Sequence, residues 1–598
     1  MTTDPGQALT ATEIYVAVAT ITVFGIGGQW IGRRLGFPSL LLLLPLGLLA
    51  GDVLGLVDPE ALLGDLLFPT VSLLVALLLF QSGLKLRFAD LPDGAWSPVV
   101  RLLTVGMAIA FVGASVAALL ILDLDVGLAF VLGAIVVVSG PTVVGPLLST
   151  VRPRKPLPSV LIYEGTFLDP LGATLGVVVL TVVLAGGAGD VHPVLYFLGR
   201  VALGVVVGLG AAALVVWVAS RFWLPYKMEA AVAVMFAVGA FALSEVLLPG
   251  SGLFAALTLG MVLANQRRVS LRPAEAFGET LEVLIIAALF ILLGALVTIE
   301  GLRQYAWEIV LLVAVLVVVV RPATAAVSLL GTQLGWRDRA LIGSIDPRGI
   351  VAASTAAAFT GSLAAAGFDS DFLLPVVFGV VLGTGVVYGL GASPVARALG
   401  VVRPTPRGVA LIGHRPWVAD LASRLEDLAV SVLLVTARPT EEAKSLEHDT
   451  GVPTISLDDT HANVRDAAHR ADIGQAVICA PADAAITLLD IHLIEIMGRR
   501  DVLRLPDGRQ TDALGQRALA DRSAHPFGSG VDLQDIESRV AAGATVKILD
   551  RPPTDDDLMR AAVSPDGVPN LRPGSIAPGR DDTLIALVGT GERPSPSA

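Results

Sequence analysis

From Ile14 to Leu399 the chain carries one apolar run after another, each of membrane-spanning length, and this repetition limits the fold more than any single motif. A hydrocarbon core needs roughly 20 apolar residues per helical crossing, which predicts about thirteen spans before Arg403. Apolar residues make up 54% of the 598 and charged residues 16%, with mean hydropathy +0.75. A soluble chain of this length needs more charge on its surface, so the apolar excess must face a lipid bilayer. Beyond Arg403 the composition is that of ordinary soluble protein. The net charge of -12 argues against a nucleic-acid partner, which would call for basic patches. A single cysteine, Cys479, excludes a disulfide framework and any multi-Cys metal site. Residues 1–12 have neither a basic stretch nor a cleavage-site pattern, so they read as the approach to a first spanning helix, not a removed signal peptide.

Basic residues mark the sides, because cytoplasmic loops collect Lys and Arg. Alternate connections carry Arg33–Arg34, Lys85 and Arg87, Arg152 to Lys155, Arg221 and Lys227, Arg267 to Arg272, Arg337 and Arg339, and finally Arg397. The connections between them hold Asp58 and Glu60, Asp123 and Asp125, Asp190, Pro249-Gly250, and Asp369 and Asp371. Only Arg200 and Arg303 lie near that second side. The pattern places the N-terminus outside a cell membrane and the C-terminal region in the cytoplasm.

Two spans are interrupted. The fifth, near 127–150, contains Ser139-Gly140-Pro141-Thr142-Val143-Val144-Gly145-Pro146, and the twelfth, near 340–364, contains Asp346-Pro347-Arg348-Gly349. Proline removes a backbone donor and glycine loosens a helix, so both segments are expected to unwind partway. If spans 1–6 and 8–13 form two repeats, the breaks fall in equivalent places. Matched breaks of this kind point to a transporter's substrate site; packing kinks are the plainer alternative.

The sixth span holds Glu164 and Asp169 within a stretch that must cross lipid. An isolated ionised carboxylate there costs several kcal/mol, so each acid needs a partner or an aqueous cavity. Five residues on a helix turn through about 500°, or about 140° net, so the two acids face differently and invite two jobs. One acid can be neutralised by an internal cation, for which Arg348 is the obvious candidate. Asp169 is then free to take a cation or a proton, with Thr142 and carbonyls of the unwound fifth span as further hard oxygen ligands. Arg321-Pro322 lies deep in the eleventh span and reads as support for carbonyls or a neighbouring acid. Glu245 and Glu282 read as interfacial.

The run from Ser139 to Ala173, with Gly140-Pro141-Thr142 in one span and Glu164 to Asp169 in the next, resembles the NhaP-like branch of the monovalent cation/proton antiporters. The Pro347-Arg348-Gly349 turn matches a third signature of that family. The resemblance implies a homodimer of inverted-repeat protomers exchanging Na⁺ or K⁺ for H⁺. It assigns Asp169 to ion and proton binding, places Thr142 and Glu164 around the site, and has Arg348 bridge Glu164. Two positions depart from the family pattern: Leu168 stands where an Asn commonly precedes the essential Asp, and Val143 where an Asp commonly follows the Thr. A single ion-binding Asp suits electroneutral exchange.

The expected fold is therefore an all-α polytopic membrane domain over 1–400, a soluble α/β Rossmann-like domain over 401–505, and a linker with a small β-containing subdomain over 506–598. In the α/β region, residues 409–413 and 430–435 read as strands flanking a helix at 417–428; a later strand at 475–479 precedes a helix at 486–497. This region resembles the TrkA-N, or RCK, regulatory domain of potassium transport systems. Its phosphate-cradling fingerprint is degenerate. Gly413 is present, but Arg415 and Val418 occupy the positions of the second and third glycines, and Thr436 stands where a ribose-binding acid belongs. Ordinary NAD binding is not expected, so no cofactor is assigned; a scaffold, a dimerising module or a sensor of another ligand remain as readings. Two other function classes were weighed. A cation channel regulated by the cytosolic domain lacks a visible selectivity-filter sequence. A membrane enzyme lacks a nucleophile or His/Asp cluster, since His192 is the sole His before His414.

Overall fold

The computed structural model describes residues 9–588 apart from 36–37, 93, 186–191, 222–224, 226–227, 267, 270–271, 403–407, 414, 437–439, 457–472, 482–485, 487–488, 491–492, 495–496, 498–500, 507–525, 528–530, 550–557, 566 and 572–581. The chain divides into two compact units, Met1–Val402 and Arg403–Ala598.

The first unit is helical. Among the described residues nine helices are long and apolar enough to cross a bilayer, from Ala11–Leu35 to Leu373–Leu399. Four shorter apolar helices, Leu40–Val53, Val126–Val137, Gly252–Asn265 and Ile350–Ala365, fall in the remaining expected stretches. Outward faces are apolar as well as inward ones. Val246 is 84% exposed, Leu120 76% and Val318 71%, an arrangement that water would oppose and hydrocarbon would not.

Two helices lie at the centre. Leu157–Leu184 buries Glu164, Asp169 and most of one flank, and Leu373–Leu399 buries a run from Pro375 to Val381. Against them run the two interrupted segments. Val126–Val137 stops, the chain passes extended through Gly140, and Pro141–Val151 starts with proline at its first turn, where no donor is missed. Likewise Trp336–Ile342 ends, residues 345–349 are non-helical, and Ile350–Ala365 begins after an extended Gly349. A further irregularity precedes Arg321: five residues, Leu316–Val320, form a wide π turn inside the helix of Ala306–Ser328. Pro322 follows at once, and the loosened turn absorbs the hydrogen bond that proline cannot make.

The second unit contains two sheets. Gly408–Ile412 (β1), Val432–Thr436 (β2), Thr454–Ser456 (β3), Ile473–Ile478 (β4) and Val502–Arg504 (β5) form a parallel sheet in the order β3-β2-β1-β4-β5. Strands β1 and β2 are buried at every residue, as continuous apolar runs in a doubly covered parallel sheet should be. Helices Pro416–Asp427 and Thr440–Thr450 connect β1 to β2 and β2 to β3. The helix expected at 486–497 lies largely outside the described residues. Thr545–Leu549 (β6), Leu558–Val563 (β7), Pro569–Asn570 (β8) and Thr583–Val588 (β9) form an antiparallel sheet in the order β6-β9-β7-β8. Val546, Ile585 and Leu587 belong to the same core cluster as Val418, Leu421 and Val409, so the second sheet shares a core with the first.

Candidate functional site

The two interrupted segments meet at their breaks. The Ser139 hydroxyl donates to the Pro347 carbonyl at 3.2 Å, and the Arg348 guanidinium donates to the Val137 carbonyl at 2.9 Å. A Cβ on Gly349 would lie 3.1 Å from both Cα and N of Gly140, so neither position tolerates a larger residue without movement. Asp169 sits beside this crossing. A Cβ on Gly140 would be 3.1 and 3.2 Å from its two carboxylate oxygens, and one on Gly349 would be 3.9 Å from Oδ1. Gly140 and Gly349 are also the residues at which the helices Pro141–Val151 and Ile350–Ala365 begin, so two positive dipole ends start next to one carboxylate.

The negative dipole ends are met by arginines. Val137 is the last residue of its half-helix and receives Arg348; Ile342 is the last residue of its own and receives Arg321 Nε at 3.0 Å. Arg321 also clasps Glu164 in a bidentate pair, with Nη1 and Nη2 donating to the carboxylate at 2.7 and 3.0 Å. Arg348 pairs with Asp346 at 3.0 Å, Arg321 stands 3.8 Å from the same acid, and the Arg348 backbone N–H donates to the Thr384 hydroxyl at 3.2 Å. All four charged side chains are 5% exposed or less.

The expected Glu164–Arg348 bridge is therefore not the one formed. Arg321 takes Glu164, and Arg348 takes Asp346 and a carbonyl. The reason is reach: Arg321 contacts both Glu164 and the Ile342 carbonyl from its own helix, whereas Arg348 is spent across the break on Val137. Of the other expected residues, Gly140, Pro141, Asp346 and Asp169 converge on the crossing. Thr142 lies in the helix that Pro141 opens, and its side chain is outside the described residues. Ser139 and Thr384 also join the site. Ser139 opens the Gly-Pro break already singled out in the sequence, whereas Thr384 is a single hydroxyl in an apolar run, and those apolar surroundings were the signal that could have found it.

Two arginines and two acids cancel, which leaves Asp169 over. It is 3% exposed, forms no ion pair among the described residues, and its Oδ1 has no hydrogen-bond partner among them. Pro170, next in the helix, lacks the N–H that would otherwise bond the Thr166 carbonyl, so a main-chain oxygen is released one turn away. No group of three or more His, Cys, Asp and Glu exists among the described residues, so the chemistry on offer is one buried carboxylate that can take either a proton or a small hard cation. Glu245 accepts the backbone N–H groups of Gly250 and Gly252, and Glu282 pairs with Lys85, so neither joins this site.

In the second unit, Gly413 follows β1, and a Cβ there would come within 3.0 Å of the Cys479 carbonyl. Strand packing alone requires the glycine. Arg415 is held by Glu537 at 3.0 Å, and Val418 is fully buried in the core.

Residues 18–398 match the family described as sodium/hydrogen exchanger, transmembrane. The low-affinity Na⁺/H⁺ antiporter NhaS1 of Synechocystis sp. is 24% identical over 69% of this chain and 76% of its own length. The K⁺/H⁺ antiporter NhaP of Alkalimonas amylolytica is 26% identical over 67% of this chain and 69% of its own. In three dimensions, the sodium proton antiporter MjNhaP1 from Methanocaldococcus jannaschii at pH 8 superposes with a TM-score of 0.56 at 21% identity, over 65% of this chain and 97% of that one. The last likeness is one of fold. With a family match running from the first span to the last, the chain belongs to the sodium/hydrogen exchanger family.

Proposed function

We propose that the protein exchanges Na⁺ or K⁺ for H⁺ across a cell membrane, one for one and without net charge transfer, by competition of the two ions for Asp169. The observation that carries this reading is the buried carboxylate left without a charge partner where two interrupted helices cross. A cation bound there takes oxygens from Asp169, from Thr142 and from main-chain carbonyls freed at the breaks, and a proton replaces it on the same acid. Since the site carries either ligand but not both, alternating exposure to the two faces couples the fluxes. The Glu164–Arg321 and Asp346–Arg348 pairs stay neutral throughout and hold the half-helices in register.

The wider arrangement follows from the same reading: inverted repeats, a homodimer, the N-terminus outside and the second unit in the cytoplasm. Of the wide π turns at Leu49–Val53, Leu102–Gly106 and Leu316–Val320, the last two fall in the fourth and eleventh spans, which are equivalent in two six-helix repeats. The parallel sheet, whose order reverses at β1, supports a Rossmann-like regulatory domain of the TrkA-N type, with the glycine positions filled as described.

The test is reconstitution into acid-interior liposomes containing a pH-sensitive dye, followed by addition of Na⁺, K⁺ and Li⁺ in turn. Dequenching by Na⁺ or K⁺ that disappears in Asp169→Asn, while that variant inserts and unfolds like the parent, is the expected result. Exchange at full rate in Asp169→Asn would remove the mechanism.

A further inference from the structure

Away from the crossing, a cavity of about 190 Å³ is lined by Ser72, Thr174, Glu245, Ser354 and Thr355 among apolar side chains. It lies toward the Pro249-Gly250 connection, the end without the basic loops. The polar lining is made of acceptors. The Thr174 hydroxyl donates to the Gly250 carbonyl at 3.1 Å, and those of Ser354 and Thr355 donate to the Val351 carbonyl at 3.0 and 2.7 Å. Their protons are thus committed, and each oxygen keeps lone pairs for a ligand. Glu245 Oε1 and Oε2 accept from the Gly250 and Gly252 N–H groups at 2.8 and 3.2 Å, which fixes the carboxylate. Arg200 does not line the cavity but stands behind it and offsets part of the Glu245 charge: its Nε is on the Pro249 carbonyl at 2.7 Å, its guanidinium lies over the Tyr196 ring, and a Cβ on Gly250 would be 3.6 Å from its side chain. At about 30 Å³ per water, the space holds roughly six waters, or one cation with part of its shell.

The cavity lies about one helical turn from the site already described. Ala173 lines it and stands four residues beyond Asp169, about 6 Å along the helix. Val351 lines it two residues beyond Gly349, so both walls continue the elements that frame Asp169.

We infer that this pouch is a second cation site, in which Glu245 and the hydroxyls of Thr174, Ser354 and Thr355 hold a partly hydrated monovalent cation on its way between bulk water and Asp169. The inference rests on the exchange reading above. Its role is in binding, so removing its oxygens should weaken apparent affinity and spare turnover.

In proteoliposomes, Glu245→Gln and, separately, Ser354→Ala with Thr355→Val should each raise the apparent KM for Na⁺ or K⁺ at least threefold with the maximum rate within twofold of the parent. Glutamine keeps one of the two acceptor oxygens of the Gly250–Gly252 turn, the one on Gly250 being the shorter bond, and the second pair hydrogen-bonds only within its own helix while valine keeps the Thr355 methyl, so unfolding in detergent is measured beside each rate. An unchanged KM in both variants, or a fall in maximum rate at constant KM, would overturn the inference. A second readout does not depend on exchange. Cys479 is the single cysteine of the sequence, so a Cys479→Ala background is silent to thiol reagents. In that background, Na⁺ or K⁺ in place of choline should slow modification of Ser354→Cys by a cationic methanethiosulfonate severalfold, also when Asp169→Asn is present. Equal rates in all three salts would exclude a cation in the pouch. Protection without exchange would leave the pouch standing and the exchange reading refuted.

Discussion

Arg321 does three things at once, and that explains why one side chain matters so much at this depth. Its fork satisfies both oxygens of Glu164, its Nε closes the open carbonyl of Ile342, and its charge balances an acid that hydrocarbon would not accept. Removing one partner of a buried pair leaves the other uncompensated, at a cost of about 3–5 kcal/mol. Arg321→Met should therefore lower thermal unfolding in detergent far more than the paired change Arg321→Met with Glu164→Gln, which removes both charges. Arg321→Lys should recover little, because an ammonium cannot serve a bidentate acid and a carbonyl together. Unfolding of all three by scanning fluorimetry checks this order. The acids were legible in the sequence because carboxylates stand out within apolar runs. Arg321 was legible as support for carbonyls or a neighbouring acid, but which arginine serves which acid was not. Arg321 and Arg348 both lie at suitable depth, and no spacing rule says which of two distant arginines reaches Glu164; the packing of the helices decides it.

At the scale of elements, the crossing works because two glycines let backbones meet. Gly140→Ala would set a methyl 3.1 Å from the Asp169 carboxylate, and Gly349→Ala one at 3.1 Å from the Gly140 backbone. Backbone cannot swing aside as a side chain can, so Gly349→Ala should cost about 1–3 kcal/mol, while Gly140→Ala should act mainly by displacing the Asp169 carboxylate and so remove most of the exchange rate. Gly361 gives the contrast within the same interrupted span: nothing lies within 4 Å of its Cβ position, and Gly361→Ala should be neutral or stabilising by up to about 1 kcal/mol. Melting temperature and proteoliposome rates measured side by side test the pair. If Gly349→Ala behaves like Gly361→Ala, the close approach has no functional weight. The breaks themselves could be read from Gly140-Pro141 and Pro347, because proline and glycine act locally. That the breaks touch, and that each arginine closes a half-helix carbonyl, depends on packing between residues some 200 apart in sequence, for example Arg348 and Val137.

The whole molecule joins a unit whose outer faces are apolar to one with an ordinary soluble core, and the division near Val402 was visible as a change in composition. The sequence could not reveal that the last strands complete the core of the α/β region, because Val546 and Ile585 meet Val418 only through the folded chain. That packing bears on ligand choice. A dinucleotide needs its pyrophosphate against bare backbone at the β1 turn, with small residues to let the helix approach. Here Val418 fills the core, and Arg415 is engaged by Glu537. Glycine at Val418 should not restore a nucleotide site; it should destabilise the second unit by about 2–4 kcal/mol through lost burial and helix propensity. For the unaltered full chain, a ligand present at 100 times its dissociation constant adds about 2.7 kcal/mol to the domain that binds it. With 1 mM NAD⁺ or NADH, binding at 10 µM would therefore raise the melting transition of the second unit by several degrees. No shift is expected with either nucleotide, and a shift of that size would show that the pyrophosphate finds room despite Val418 and Arg415.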